Sequence, residues 1–369
     1  MKFRVQIWLV LLLIAFVAPT VLAQMLAEKD SHASQVPSLL VPDFLAPKMG
    51  STGAGGLASP AANVNPSASE ERKPAAVESA QKSLRAGVAS LEAGHYKDAI
   101  ASLEAARQLA PNSSALNAWL GYAYLGLDEY DNSIKACERA VSLGSTSFEI
   151  RRALGIAYLR LEKPEQAVFP LQEATRLAPQ DAINHYLLAV AYDDAGQLND
   201  ATDHFLHSLA LDPKHYRSYF GLAGIYAEQS RTAEAIGLLK EAIRLKPDFA
   251  EAYLALANTL SSSGNYKDAI HNFESAIKLN PQNPVAQNNL GVAYLRMGKN
   301  KEGLAAFKCA ATLGPQVGQI HVNLVRAYLL VRNKDAALAE YGLLKTIDSA
   351  LANVVYAEIF QQRILKVRD

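Results

Sequence analysis

Residues 250–283 read AEAYLALANTLSSSGNYKDAIHNFESAIKLNPQN, two apolar patterns separated by a short polar turn. In the first half Tyr253, Leu256, Ala257 and Leu260 fall at i, i+3, i+4 and i+7, which puts them on one face of a helix. After Ser262-Ser263-Gly264-Asn265 the same period returns in Tyr266, Ala269, Ile270, Phe273, Ala276 and Ile277, so a second helix follows the turn. Asn265 stands where its side-chain oxygen can cap that helix's free N–H groups. Asn280-Pro281 ends it, because proline lacks an N–H and pushes its predecessor out of the α region. The stretch predicts a helical hairpin.

The spacing recurs every 34 residues. Steps from Pro281 reach Pro111, Ser145, Pro179, Pro213, Pro247, Pro315 and Ser349, so six of eight slots hold proline in a chain with only 16. The slot 24 residues earlier holds Gly87, Gly121, Gly155, Ala189, Ala223, Ala257, Gly291 and Val325. Twelve residues before the proline slot stand Ala99, Ser133, Ala167, Ala201, Ala235, Ala269, Gly303 and Ala337. Small side chains at fixed slots mark places where helix backbones come close, and a bulky replacement there would overpack by about 1–3 kcal/mol. Large residues keep the complementary slots: Leu120, Leu154, Leu188, Leu222, Leu256, Leu290 and Leu324, with Tyr124, Tyr158, Tyr192, Tyr226, Tyr294 and Tyr328 four residues after all but one of them. The tyrosines read as core fillers.

The 34-residue period, the Leu-Gly-x-x-Tyr core, the later alanines and the closing proline resemble the tetratricopeptide repeat over residues 80–351. The resemblance implies an all-α fold, an α-solenoid of eight hairpins at 80–113, 114–147, 148–181, 182–215, 216–249, 250–283, 284–317 and 318–351. It also implies a right-handed superhelix whose first helices line the concave face. A solenoid core grows linearly, so one extended domain suffices. The array is expected to start near Pro74, a residue suited to a first helical turn. Residues 352–369 are expected to form a C-terminal capping helix that buries Val354, Val355, Ile359, Phe360 and Ile364, with Lys366 and Arg368 complementing its dipole.

Ahead of the array, residues 1–23 carry Lys2 and Arg4, a charge-free run and Val21-Leu22-Ala23, the pattern of a secretory signal peptide. The charge-free span 5–27 is also long enough for an uncleaved inner-membrane anchor, the only membrane association the sequence suggests. Either reading exports the repeats, to the periplasm or outside the cell. Residues 24–73, rich in Ala, Ser, Gly and Pro, read as a disordered linker. Losing the first 23 residues leaves 34 basic against 36 acidic residues, with no basic block, so nucleic acid is not an expected partner.

Little chemistry is on offer. Cys137 and Cys309 fall at semi-buried slots of second helices five repeats apart, beyond disulfide reach. His204 and His207 lie at i and i+3 beside Asp203, with His215 a turn later, yet no thiolate or clustered carboxylate completes a tetrahedral site, so no metal is expected. No nucleophile elbow, phosphate loop or His-Glu-x-x-His motif occurs, and neither a cofactor nor enzymatic activity is expected.

Function therefore rests on the concave face that the resemblance implies. Its slots bring Trp119, Tyr122, Arg152, Arg160, Tyr186, Asp193, Asp194, Arg217, Phe220, Asn258, Asn288, Asn289, Arg296, Asn323 and Arg326 inward. Aromatics and arginines anchor interfaces most often, so Trp119, Tyr122, Tyr186 and Phe220 are the expected anchors. The carboxylate clamp of chaperone-binding relatives is missing, since its slots hold Leu84, Val88, Trp119, Glu149 and Ala153. An asparagine ladder like that of O-linked N-acetylglucosamine transferases appears only as Asn289 and Asn323. The expectation is a scaffold that binds a segment of another protein in its groove. The alternative is an assembly subunit that self-associates through its end repeats.

Overall fold

The computed structural model describes residues 74–366; the expected leader, the linker and residues 367–369 lie outside it, as do the side chains of Phe360, Ile364 and Lys366. Among the described residues there are seventeen helices and no strand, and no helix is long and apolar enough to cross a membrane. They fall into two compact units, one ending at Leu211 and the other beginning at Asp212. A single array was expected. In a stack where each repeat touches only its neighbours, compactness is local, and each unit here holds four hairpins.

The first unit pairs α1 (Pro74–Glu92) with α2 (Tyr96–Leu109), α3 (Ser114–Gly126) with α4 (Tyr130–Ser142), α5 (Phe148–Arg160) with α6 (Pro164–Leu177) and α7 (Ala182–Asp194) with α8 (Leu198–Leu211). The second pairs α9 (Tyr216–Glu228) with α10 (Thr232–Leu245), α11 (Ala250–Ser262) with α12 (Tyr266–Leu279), α13 (Pro284–Arg296) with α14 (Asn300–Leu313) and α15 (Gly318–Leu330) with α16 (Lys334–Ile347). It closes on α17 (Ser349–Lys366). Ala352, Val355 and Ile359 of α17 are buried against Val322, Val325 and Leu344. Val354, expected in that cap, is half exposed, because one residue before Val355 on a helix points away from the face that Val355 buries.

Each hairpin is built from local rules. Ser113, Ser147, Asp181 and Asn283 cap first helices, and Asn265 accepts from the Asp268 amide at 3.4 Å to cap α12. The middle residue of the three-residue turn is left-handed in all eight hairpins: glycine at 94, 196, 264 and 298, but Asp128, Glu162, Ser230 and Arg332 at φ 55–61° in the others. Where the small slot is glycine, its neighbour fills the missing side chain's place. A Cβ on Gly87 would sit 2.6 Å from Leu103, on Gly121 2.4 Å from the Cys137 sulfur, on Gly155 2.4 Å from Leu171 and on Gly291 2.7 Å from Phe307. Cys137 is thus a buried packing group, its thiol pushed up to about 12 by burial, whereas Cys309 is exposed.

The tyrosines are a correction. They do not only fill the core. Tyr124, Tyr158 and Tyr294 donate their hydroxyls at 2.8–2.9 Å to Glu104, Glu138 and Glu274, each twenty residues back on the previous repeat's second helix. Tyr192 keeps the geometry with roles reversed, accepting from Gln172 at 2.7 Å. All three donors are pushed up to about 12, by burial and then by the carboxylate that takes the proton's hydrogen bond. In these four repeats the slot is a latch to the repeat before.

Candidate functional site

Within each unit the first helices touch one another in succession, α1 to α3 to α5 to α7 and α9 to α11 to α13 to α15, as well as packing on their own second helices. Among the second helices no such run of contacts occurs. First helices therefore lie on the tighter, inner side of each unit, and the inner face is where side chains from several repeats converge.

In the first unit that face is aromatic and cationic. Arg152 on α5 reaches forward to the start of α7, donating from Nη1 to its cap Asp181 Oδ2 at 3.0 Å and to Asn184 Oδ1 of the next repeat at 3.4 Å, while its guanidinium lies 5.3 Å from the centre of the Phe148 ring. Tyr122 is half-buried and its enclosed hydroxyl finds no acceptor or donor in the protein; burial pushes its pKa well above the usual value despite Arg152. Burial lowers the Arg160 pKa, an effect opposed by the nearby Tyr130 hydroxyl, which donates to Asp128 at 2.6 Å. The Nε and Nη2 hydrogens of Arg160 reach no acceptor in the protein. Asp193 is half-buried. Asp194 has an exposed surface, yet the protein mass around its carboxyl pushes the pKa up to about 6.

Three expected contact residues are not on the surface. Trp119 is 8% exposed and sits in one core with Leu84, Val88, Leu116 and Leu120, so the indole fills the first joint. Tyr186, 4% exposed, packs its ring 6.1 Å from that of Phe205. Arg217, 8% exposed, lays its guanidinium 5.2 Å from the centre of the Tyr216 ring. Their slots lie where one first helix meets its neighbours, so large side chains there are consumed by packing. Phe220 stays half-buried, its ring 5.0 Å from that of Phe249, and Arg296 and Arg326 are half-buried as well.

The second unit carries the more ordered arrangement. Asn323 Nδ2 on α15 donates to Asn288 Oδ1 on α13 at 2.8 Å, Asn288 Nδ2 to Asn289 Oδ1 at 3.1 Å, and Asn289 Nδ2 to Asn258 Oδ1 on α11 at 2.9 Å. Gln319 feeds the chain by donating to Asn323 Oδ1 at 3.4 Å. Four half-buried asparagine amides thus form one continuous ladder across three first helices. An amide has two N–H donors and two oxygen lone pairs, and the ladder uses at most one of each. Every rung keeps a donor and an acceptor for something else. The sequence reading placed these residues inward but not Asn258 and Asn288 in the ladder, because the amides join across repeats at three different slots of the unit, nine, five and six, and not at slot six alone.

Among the described residues no group of three or more His, Cys, Asp or Glu side chains is placed to hold a metal ion. Instead His204 and His207 meet a third ring, His185 of α7, which the reading of α8 alone missed.

Stacked hairpins with ligand-sized side chains on their inner helices define a helical-repeat protein of the α-solenoid class. The chain belongs to the tetratricopeptide repeat family: models of that repeat match residues 84–148 and 152–207, 194–258 and 226–270, and 257–298, more than half of the sequence. No curated protein matches it. Among solved structures, Pseudomonas aeruginosa pilF is similar with a TM-score of 0.52 at 23% identity, over 57% of this chain and 97% of that one. Cut9 with Hcn1 from the APC/C gives 0.54 at 16% identity, over 76% and 54%. The C-terminal part of a TPR repeat-containing protein from Cytophaga hutchinsonii gives 0.51 at 14%, over 62% and 94%. At such identities the likeness is one of fold.

Proposed function

We propose that this chain is a non-catalytic scaffold that holds an extended segment of another protein against its inner helices. The asparagine ladder carries the reading. An extended backbone offers one N–H and one C=O per residue, and a row of amides each keeping one donor and one acceptor meets that pattern without regard to side chains. Tetratricopeptide repeats serve generally as protein-interaction modules, in keeping with this role. In the first unit Tyr122, Arg152 and Arg160 would add contacts to particular side chains of the bound segment. Residues 1–23 support export, so the partner is sought in the cell envelope or beyond.

The test is affinity capture from native envelope extract with the wild-type chain beside one carrying Asn258→Ala, Asn289→Ala and Asn323→Ala. A protein retained by the first and lost from the second, with helicity unchanged, supports the ladder. Equal retention by both removes it.

A second reading has its own observation. Leu343, Val354 and Tyr356 at the C-terminal end are 47%, 50% and 50% exposed, apolar side chains suited to pairing between copies. Mass that rises with concentration, and stops rising on Val354→Asp, would favour the assembly role.

A further inference from the structure

Within repeat four, beside its joint with repeat three, three imidazoles cluster. His185 on α7 meets His204 on α8 with their Nδ1 atoms 3.1 Å apart. The His207 ring stacks on His185 at 5.4 Å and lies 6.1 Å from His204. Tyr192, which latches this repeat to Gln172 of α6, stacks on His204 at 5.6 Å. His185 Nε2 reaches the carbonyl of Pro179, the residue that closes repeat three, at 3.1 Å. The Pro179 tie to repeat three runs through the cluster and the Tyr192 tie adjoins it, while Asn184 makes two more, accepting from Arg152 at 3.4 Å and donating to the Ala174 carbonyl at 3.1 Å.

The carbonyl fixes the protons. It can only accept, so His185 carries its hydrogen on Nε2, and a neutral ring then presents a bare Nδ1. The 3.1 Å contact makes His204 Nδ1–H the donor. One added proton fits on His204 Nε2 without breaking that bond. A second places N–H on both facing nitrogens and turns attraction into repulsion.

The surroundings do little to welcome charge. Asp181, which faces His185, already caps α7 and takes Arg152; Asp200 and Asp203 on α8 favour a charged His204; Glu173 and Arg176 on α6 grip each other. His207 donates from Nδ1 to the Asp203 carbonyl and adds a third positive charge when protonated. Burial, then the neighbouring rings, hold His185 and His204 below the ordinary histidine range.

Repeat eight supplies the contrast. At the same two slots it has His321 and Glu340, hydrogen-bonded through Nδ1, with His321 Nε2 3.1 Å from the Pro315 carbonyl. There the group facing Nδ1 is a carboxylate, which accepts, so an N–H on that nitrogen makes a hydrogen bond instead of a repulsion.

We propose that the α7–α8 hairpin of repeat four, beside its joint with repeat three, is an acid-sensitive latch, held shut by the uncharged His185–His204 pair and loosened when the cluster takes up protons. Since the folded hairpin binds protons less readily than the unfolded chain, its stability is full above the free histidine value of about 6.5 and falls as pH drops through the lower folded values.

Amide hydrogen exchange of the full chain at pH 7.5 and 5.5, corrected for intrinsic rates, tests this. Protection of peptides spanning 179–207 should fall roughly threefold or more at the lower pH, relative to α3 and α4 in the same molecules. The variant His204→Glu, which installs the repeat-eight pair, should abolish or reverse the loss. Equal protection at both pH values, or an undiminished loss in His204→Glu, would overturn the latch. Ring nitrogen titration of the wild type gives an answer without a variant: His185 and His204 should protonate below the free histidine value, and protonation at that value would overturn it equally.

Discussion

Adding one methyl group at Gly155 should destabilise the chain, and the same methyl should stabilise a chain already altered at Leu171. A Cβ at Gly155 would lie 2.4 Å from Leu171 Cγ and 2.7 and 3.0 Å from its two methyl carbons. Carbon atoms rest about 3.5–4.0 Å apart, so α5 and α6 must separate by roughly 1 Å at a point where Leu171 is fully buried. Such overpacking costs about 1–3 kcal/mol, against about 0.8–1 kcal/mol gained by exchanging glycine for alanine in a helix. The net change for Gly155→Ala is a loss of up to about 2 kcal/mol. Leu171→Ala alone should cost about 2–5 kcal/mol through the cavity it leaves. In that background Gly155→Ala meets no branched side chain, fills part of the cavity and should return about 1 kcal/mol. Urea unfolding of the four chains by circular dichroism measures the cycle, and hydrogen exchange of α5 and α6 reads it locally, since an array need not unfold in two states. The same sign in both backgrounds would refute close packing at this slot as the reason for glycine.

Glu162→Gly should stabilise by about 0.5–1 kcal/mol, because a left-handed residue with a side chain costs about 1–2 kcal/mol and glycine's entropy offsets only part of the gain; a lower unfolding midpoint would contradict it. Gly264→Ala, with nothing within 4 Å of the added carbon, should nonetheless destabilise through φ alone. The tyrosine latches should appear in alkali. Each hydroxyl favours its protonated form in the folded state, so the contribution is full below pH 10 and fades as pH rises through about 12. Absorbance at 295 nm should show late-titrating tyrosines that vanish stepwise in Tyr124→Phe, Tyr158→Phe and Tyr294→Phe, whereas a single midpoint near 10 would remove the latch.

What could be read from the chain followed from rules that act locally. Helix periodicity, caps such as Asn265 and the prolines fix each hairpin, and the glycine slots announce close contacts that Leu103, Cys137, Leu171 and Phe307 then make. Side chains whose roles depend on a residue one repeat away were less legible. Tyr158 looks apolar in its own helix, and only the position of Glu138 turns its hydroxyl into a bridge. Trp119 and Tyr186 occupy inner slots, but whether an aromatic there meets a ligand or a neighbouring helix depends on packing that the slot does not encode. His185 gains meaning only from His204, nineteen residues on and across the hairpin.

The claim that inner helices hold the partner is tested most directly by photocrosslinking. A photoreactive phenylalanine analogue is placed in turn at Phe220 and Asn258 on inner helices, and at Phe169 and Leu206, which are 71% and 46% exposed on second helices. Apolar exposure makes the second pair a demanding control. Capture of one protein from Phe220 and Asn258 but not from Phe169 or Leu206 is the result predicted here; capture from Phe169 or Leu206 alone would contradict it.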